Sequence, residues 1–139
     1  MKIKFKKKRL RINLIFGMVW LILGILSIVT DEDLRWTDYG YLIIGILYLG
    51  HYLYDLTYQY LTIENGTIQK NGLYGFGKKI ILEEINWIKK FAGDYTLKTE
   101  QNELKINTEL IDKDSLNELN KILAELNLPS KKTPFTNNV

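Results

Sequence analysis

Apolar and polar positions follow one pattern over roughly the first 57 residues and another after it. Residues 12–30, INLIFGMVWLILGILSIVT, form a stretch of nineteen positions without a charge. Coiled at about 1.5 Å per residue, they match the ~30 Å hydrocarbon thickness of a bilayer and predict a transmembrane helix. A cleaved signal peptide opens in the same way, but this stretch is long and ends in SIVTDED without an A-x-A-like site. A second apolar stretch, YGYLIIGILYLGHYLY, covers only the sixteen residues 39–54. Tyr39 and Tyr41 at one end, with Tyr52, Tyr54, Tyr58 and Tyr60 at the other, fit interfacial aromatic belts that let a short span match the membrane. The connection at 31–38, DEDLRWTD, allows only a tight turn, so residues 12–30 and 39–57 are expected to form an antiparallel hairpin. Gly17 and Gly24 on the first helix and Gly45 and Gly50 on the second are the expected points of close packing.

From residue 58 the apolar period changes to two. YLTIE is followed by Asn65-Gly66, the strongest two-residue hairpin signal, and then by TIQK. NGLYGFG reads as a glycine-rich bend, KKIILEEI runs into NWIKKF, and Ala92-Gly93-Asp94 turns the chain into YTLKT. A turn around Gln101-Asn102 then leads to ELKINTELI, which makes about six strands, or five if the third and fourth are one bent strand. The last element, DKDSLNELNKILAELNLP, places Leu116, Leu119, Ile122, Leu123 and Leu126 on one helical face. Ser115 and Glu118 read as its capping box and Pro129 as its stop. Such a stripe has to be buried, and the open end of a curled sheet is the nearest surface.

Charge sharpens this organisation. The net +3 is the sum of a local +7 over residues 1–12, a local −3 over 31–38 and a local −1 over 55–139. Lys6, Lys7, Lys8, Arg9 and Arg11 abut the first apolar stretch, where a basic run is a topology signal held against anionic headgroups. No basic, aromatic-interleaved face recurs later, so nucleic acid is not an expected partner. The positive-inside rule puts both termini in the cytoplasm, with the protein in the cell inner membrane.

Four segments, YLTIENGTIQKNGLYG, KKIILEEINWI, YTLKTEQNELKI and IDKDSLNELNKILAEL, resemble the bacterial pleckstrin-homology-like domains. In that family a membrane hairpin often precedes the domain and a C-terminal helix plugs the barrel. The resemblance implies a membrane α-helical hairpin followed by a small α+β domain, an antiparallel PH-like β-barrel or roll of about six strands closed by one C-terminal amphipathic helix. The first hairpin turn is only Asn65-Gly66, without the basic loop that holds inositol phosphates in eukaryotic relatives, so the resemblance does not extend to phosphoinositide binding. The expected layout is a basic N-terminus (1–11), helix 1 (12–30), an acidic external turn (31–38), helix 2 (39–57), the PH-like domain (58–128) and a flexible tail (129–139).

The chemistry is sparse. The 139-residue chain has no cysteine and one histidine, which excludes disulfides, thiolate metal sites, a cysteine nucleophile and a His-rich metal site. No phosphate-cradling glycine loop and no Ser/His/Asp set stands in the required context, so neither an enzyme, a cofactor nor a metal is expected. Glu83 and Glu84 are adjacent in a strand-like run and are expected on opposite faces. Tyr48, His51 and Asp55 form a candidate polar stripe at the exit of the second span, either a proton relay or an interfacial rim. Leu73, Tyr74, Phe76, Lys78 and Lys79 form a candidate contact loop for headgroups or a partner. The expected function is a non-enzymatic membrane protein whose domain binds a protein partner or its own copy. The alternatives are a lipid-headgroup-sensing module and an accessory subunit of a transporter.

Overall fold

The computed structural model describes residues 1–135. It contains two compact units: Lys7–Thr57, and residues 1–6 together with those from Tyr58 onward.

The first unit is a pair of helices, α1 (Lys7–Thr30) and α2 (Trp36–Tyr58). Their packing places small residues inside and large apolar ones outside. Gly17, Gly24 and Gly45 are buried, whereas Ile15, Ile22, Val29, Ile46 and Leu47 are exposed. A soluble helix pair does the reverse, because water drives large apolar side chains inward. Asp38 closes the turn between the helices. One of its carboxylate oxygens accepts a hydrogen bond from Ser27 Oγ at 2.7 Å and the other accepts one from the Arg35 amide at 2.7 Å. Among the described residues, α1 is the one helix long and apolar enough to cross a membrane; the tyrosines, His51 and acids of α2 keep it below that level.

Among the described residues, the second unit has seven strands in two antiparallel sheets. Strands β1 (Lys2–Ile3), β2 (Leu61–Glu64), β3 (Thr67–Lys70) and β4 (Lys79–Ile81) form the first, in that spatial order. Strands β5 (Trp87–Phe91), β6 (Asp94–Lys98) and β7 (Glu103–Asn107) form the second. Both tight hairpins use left-handed turn pairs, Asn65-Gly66 (φ 50° and 69°) and Ala92-Gly93 (φ 47° and 82°), which match the twist of the strands they join. A short helix α3 (Gly72–Gly75) lies between β3 and β4, and helix α4 (Lys113–Ala124) buries Leu119 and Leu123, with Leu116, Ile122 and Leu126 half-buried along the same stripe.

Four expectations are corrected here. The sheets do not close into a barrel: a 3₁₀ turn at Leu82–Glu84 interrupts KKIILEEINWI and moves the chain from one sheet to the other. Residues 1–6 are not merely a basic headgroup segment, because the chain's first strand belongs to the domain. Lys2 pairs with Thr62 and Ile3 with Leu61, and Phe5 forms an isolated bridge to Ile111. The capping residue of α4 is Asp112, whose carboxylate accepts from the Asp114 amide, while Ser115 Oγ accepts from the Lys4 amide at 3.2 Å. Of the expected tail, Ser130–Lys132 forms a 3₁₀ turn and the Phe135 ring packs edge-on against Tyr95 at 5.4 Å; residues 136–139 lie outside the described residues.

Candidate functional site

The N-terminal strand shows how the domain is knit. Lysines and apolar residues alternate in KIKFK, so Ile3 and Phe5 point into the core while Lys2, Lys4 and Lys6 stay in water. On one side the Tyr60 amide donates to the Ile3 carbonyl at 3.0 Å, and the Phe5 amide donates to Gln59 Oε1 at 3.1 Å. On the other, the Lys6 amide donates to the Leu110 carbonyl and the Asp112 amide to the Lys4 carbonyl, both at 2.9 Å. The segment is therefore held between β2 and the start of α4.

Phe5 anchors an aromatic cluster. Its ring lies 5.3 Å from Tyr60 and 5.1 Å from Tyr74, with Tyr60 and Tyr74 edge-on at 6.2 Å. This settles the position of the candidate contact loop. Tyr74 folds back onto the core, whereas Leu73, Phe76, Lys78 and Lys79 are exposed. The backbone between them is a short helix α3 (Gly72–Gly75) capped by Asn71, whose Oδ1 accepts from the Leu73 amide at 2.9 Å. Asn71 Nδ2 in turn donates to the Gln59 carbonyl at 2.7 Å, tying the loop to the base of β2.

Lys70 precedes this loop. Its Nζ donates to the Lys105 carbonyl at 2.8 Å and lies 5.5 Å from the Tyr60 ring centre, while the Asn107 amide donates to Tyr60 Oη at 2.8 Å. These bonds join the two sheets. Burial lowers the Lys70 pKa from its ordinary value; Asp94 opposes the shift and Lys105 adds to it. Burial also pushes the Tyr95 phenol up.

In the helical unit, three of the four glycines expected to pack do what their spacing suggests. A Cβ on Gly17 would lie 2.8 Å from Leu49 Cδ2, one on Gly45 2.9 Å from the Leu21 nitrogen, and one on Gly24 2.9 Å from the Leu42 nitrogen. Gly50 faces open space and takes no part in the packing. His51 Nε2 lies 3.2 Å from Asp55 Oδ2, and Asp55 is fully buried rather than part of a wet rim. Tyr48 is drawn away from this pair, since its ring stacks on Phe16 at 5.8 Å. Of the remaining basic residues of the run, Lys7, Lys8 and Arg11 are exposed and Arg9 is half-buried.

Glu83 and Glu84 sit in the 3₁₀ turn and not in a strand, so both line one cavity of about 410 Å³ with Asn86, Thr99, Glu100, Gln101 and Asn102. Asp38, the residue that closes the helical turn, was hidden in the sequence among the acids of DEDLRWTD. The W-T-D spacing at the start of α2 was the available signal, because an acid in the first turn reaches back to free amides.

No protein family, curated protein or solved structure matches the chain at a significant level.

Proposed function

We propose that the protein is a non-enzymatic integral membrane protein whose helix pair spans the bilayer twice and presents the two-sheet domain in the cytoplasm for interaction with a protein partner. One observation carries the reading. The chain leaves the domain at Lys6 and re-enters it at Tyr58, so the helix pair is an insertion within a single folded unit. If α1 crosses, α2 must return, because residues on both sides of the pair are hydrogen-bonded to each other. The apolar exterior of the pair supports lipid contact, since a patch of that size is unstable in water. The +7 N-terminus supports the cytoplasmic placement, in the cell inner membrane. An antiparallel meander followed by one helix keeps the PH-like resemblance as part of this reading.

The surface best suited to a partner is the edge strand β5. Trp87, Lys89 and Phe91 alternate onto one face, Lys89 Nζ sits 4.4 Å from the Trp87 ring centre, and Phe91 is 82% exposed. Exposed aromatics are the composition of an interface core. Two measurements test the reading. A cysteine at Thr37 should react with an impermeant thiol reagent in whole cells, and one at Glu100 only after permeabilisation. A photo-crosslinker at Phe91 should capture one defined protein adduct, either a partner or a second copy, that a crosslinker at Glu100 does not. Reversed labelling removes the topology, and a Phe91 probe that captures nothing removes the partner surface.

A further inference from the structure

Residues 70–79, KNGLYGFGKK, hold three lysines and no acid. Their backbone is pinned by the Asn71 cap, by the Phe76 amide donating to the Gly72 carbonyl at 2.9 Å, and by the Lys70 amide donating to the Lys78 carbonyl at 2.8 Å. The Tyr74 ring fixes the turn to the core from inside. On the outside, this rigid turn holds Leu73 at 60% and Phe76 at 102% of full exposure. Phe76 also adopts φ 52°, a left-handed conformation that glycine takes without strain and other residues do not. The ring therefore carries a hydration penalty and a conformational penalty, and its exposure leaves no packing among the described residues to offset either.

A surface that offsets both must accept an aromatic ring and favour flanking ammonium groups. A leaflet of anionic phospholipid does both. Such a leaflet is also near on covalent grounds, because no residue intervenes between Lys6 and Lys7 or between Thr57 and Tyr58, where the domain meets the helical unit. A contact too weak to recruit a free protein becomes populated when it is tethered this closely.

We propose that the α3 turn is a membrane-insertion loop: Leu73 and Phe76 enter the cytoplasmic leaflet to headgroup depth while Lys78 and Lys79 lie on anionic headgroups. The proposal rests on the reading that the helix pair spans the bilayer. It adds a second, non-spanning lipid contact that orients the domain and leaves the β5 face for a partner.

The absence of native cysteine allows a clean test. The full chain, carrying an environment-sensitive fluorophore at Phe76→Cys, Leu73→Cys or the control Glu100→Cys, is reconstituted into vesicles of equimolar phosphatidylglycerol and phosphatidylcholine. Only the carbonate-resistant fraction is read. A lipid-borne nitroxide should quench the labels at 73 and 76 and not the one at 100, with aqueous iodide giving the opposite order. Replacing Lys78 and Lys79 by alanine should lower the inserted-to-lifted ratio at Leu73→Cys about fivefold per lysine. Pure phosphatidylcholine vesicles should lower it similarly. Labels at 73 and 76 open to iodide in anionic vesicles overturn the proposal. So do labels shielded from both quenchers, which means protein covers the loop. Quenching that ignores lipid charge and both lysines overturns the anionic-headgroup assignment. A chain that carbonate extracts entirely instead overturns the spanning reading itself, and the loop proposal with it.

Discussion

Phe5→Ala tests whether the first six residues belong to the domain. The Phe5 side chain is 1% exposed, stacks against both Tyr60 and Tyr74, and its backbone bridges Ile111. Truncating a buried phenylalanine costs about 3–5 kcal/mol through lost transfer energy and the cavity left behind. The site borders the short edge strand β1, where neighbours can collapse inward, so the lower figure of about 3 kcal/mol applies. A small unit has a total stability on the order of 5 kcal/mol, so this one side chain accounts for more than half of it. Pulse proteolysis of the full chain in detergent, across a urea series, reads the domain without requiring the helices to unfold. With an m-value of about 1.5 kcal/mol/M the midpoint should fall by about 2 M. Phe76→Ala, on a side chain that touches little but solvent, should stay within about 0.5 kcal/mol of the parent. A Phe5→Ala midpoint that moves no more than the Phe76→Ala midpoint would refute the assignment of residues 1–6 to the core.

Residues 58–135 made alone lack Ile3 and Phe5 and should give poor amide dispersion in solution, whereas joining residues 1–6 to residue 58 through a short Gly-Ser linker should restore a folded spectrum. Gly24→Val should separate the helices, because its Cβ meets Leu42 backbone, and open the helix pair to proteolysis in detergent; Gly50→Val, at a position that faces open space, should leave the pair as resistant as the parent. Burial raises the Tyr95 pKa above its ordinary value of 10.0, so the folded state binds the proton more tightly than the unfolded one. Stability attributable to Tyr95 is then complete below pH 10 and declines as the pH climbs from 10.0 toward the raised value, and Tyr95→Phe should flatten that part of a urea-midpoint profile.

Elements whose local chemistry and burial agree were legible from sequence. Asn65-Gly66 dictated a two-residue turn and its strands followed, and the leucine stripe of α4 emerged at its helical spacing. Three of the four expected hairpin glycines, Gly17, Gly24 and Gly45, were legible too, because close helix approach has few other solutions, whereas Gly50 faces open space. Strand β1 was hidden by its own charges. The alternation of Lys2, Ile3, Lys4, Phe5 and Lys6 has a strand's period, but beside an apolar helix the lysines read more strongly as a topology signal. Its partners, Leu61 and Ile111, lie far along the chain, and no local pattern announces such pairing. The same reasoning explains Ser115, taken for a cap because the acceptor role it plays for Lys4 is tertiary. At the candidate loop, sequence marked exposed aromatics in the segment but not which of them turns inward; that depended on the Phe5 and Tyr60 rings waiting beneath Tyr74.

The place of β1 in chain order has a consequence for biosynthesis. A ribosome produces Ile3 and Phe5 first, yet the strand and bridge that receive them, at Leu61 and Ile111, emerge only after both helices have been made. At about 5–20 residues per second that interval is on the order of ten seconds. Throughout it the segment must wait as an unpaired strand while the helix pair behind it is made. If the pair spans a bilayer, as proposed above, the sheet is completed only when both ends of the hairpin lie in the same compartment. On the proposed spanning reading, closure of the domain therefore reports on insertion: a chain in which only one helix crosses leaves Leu61 without its neighbour Ile3.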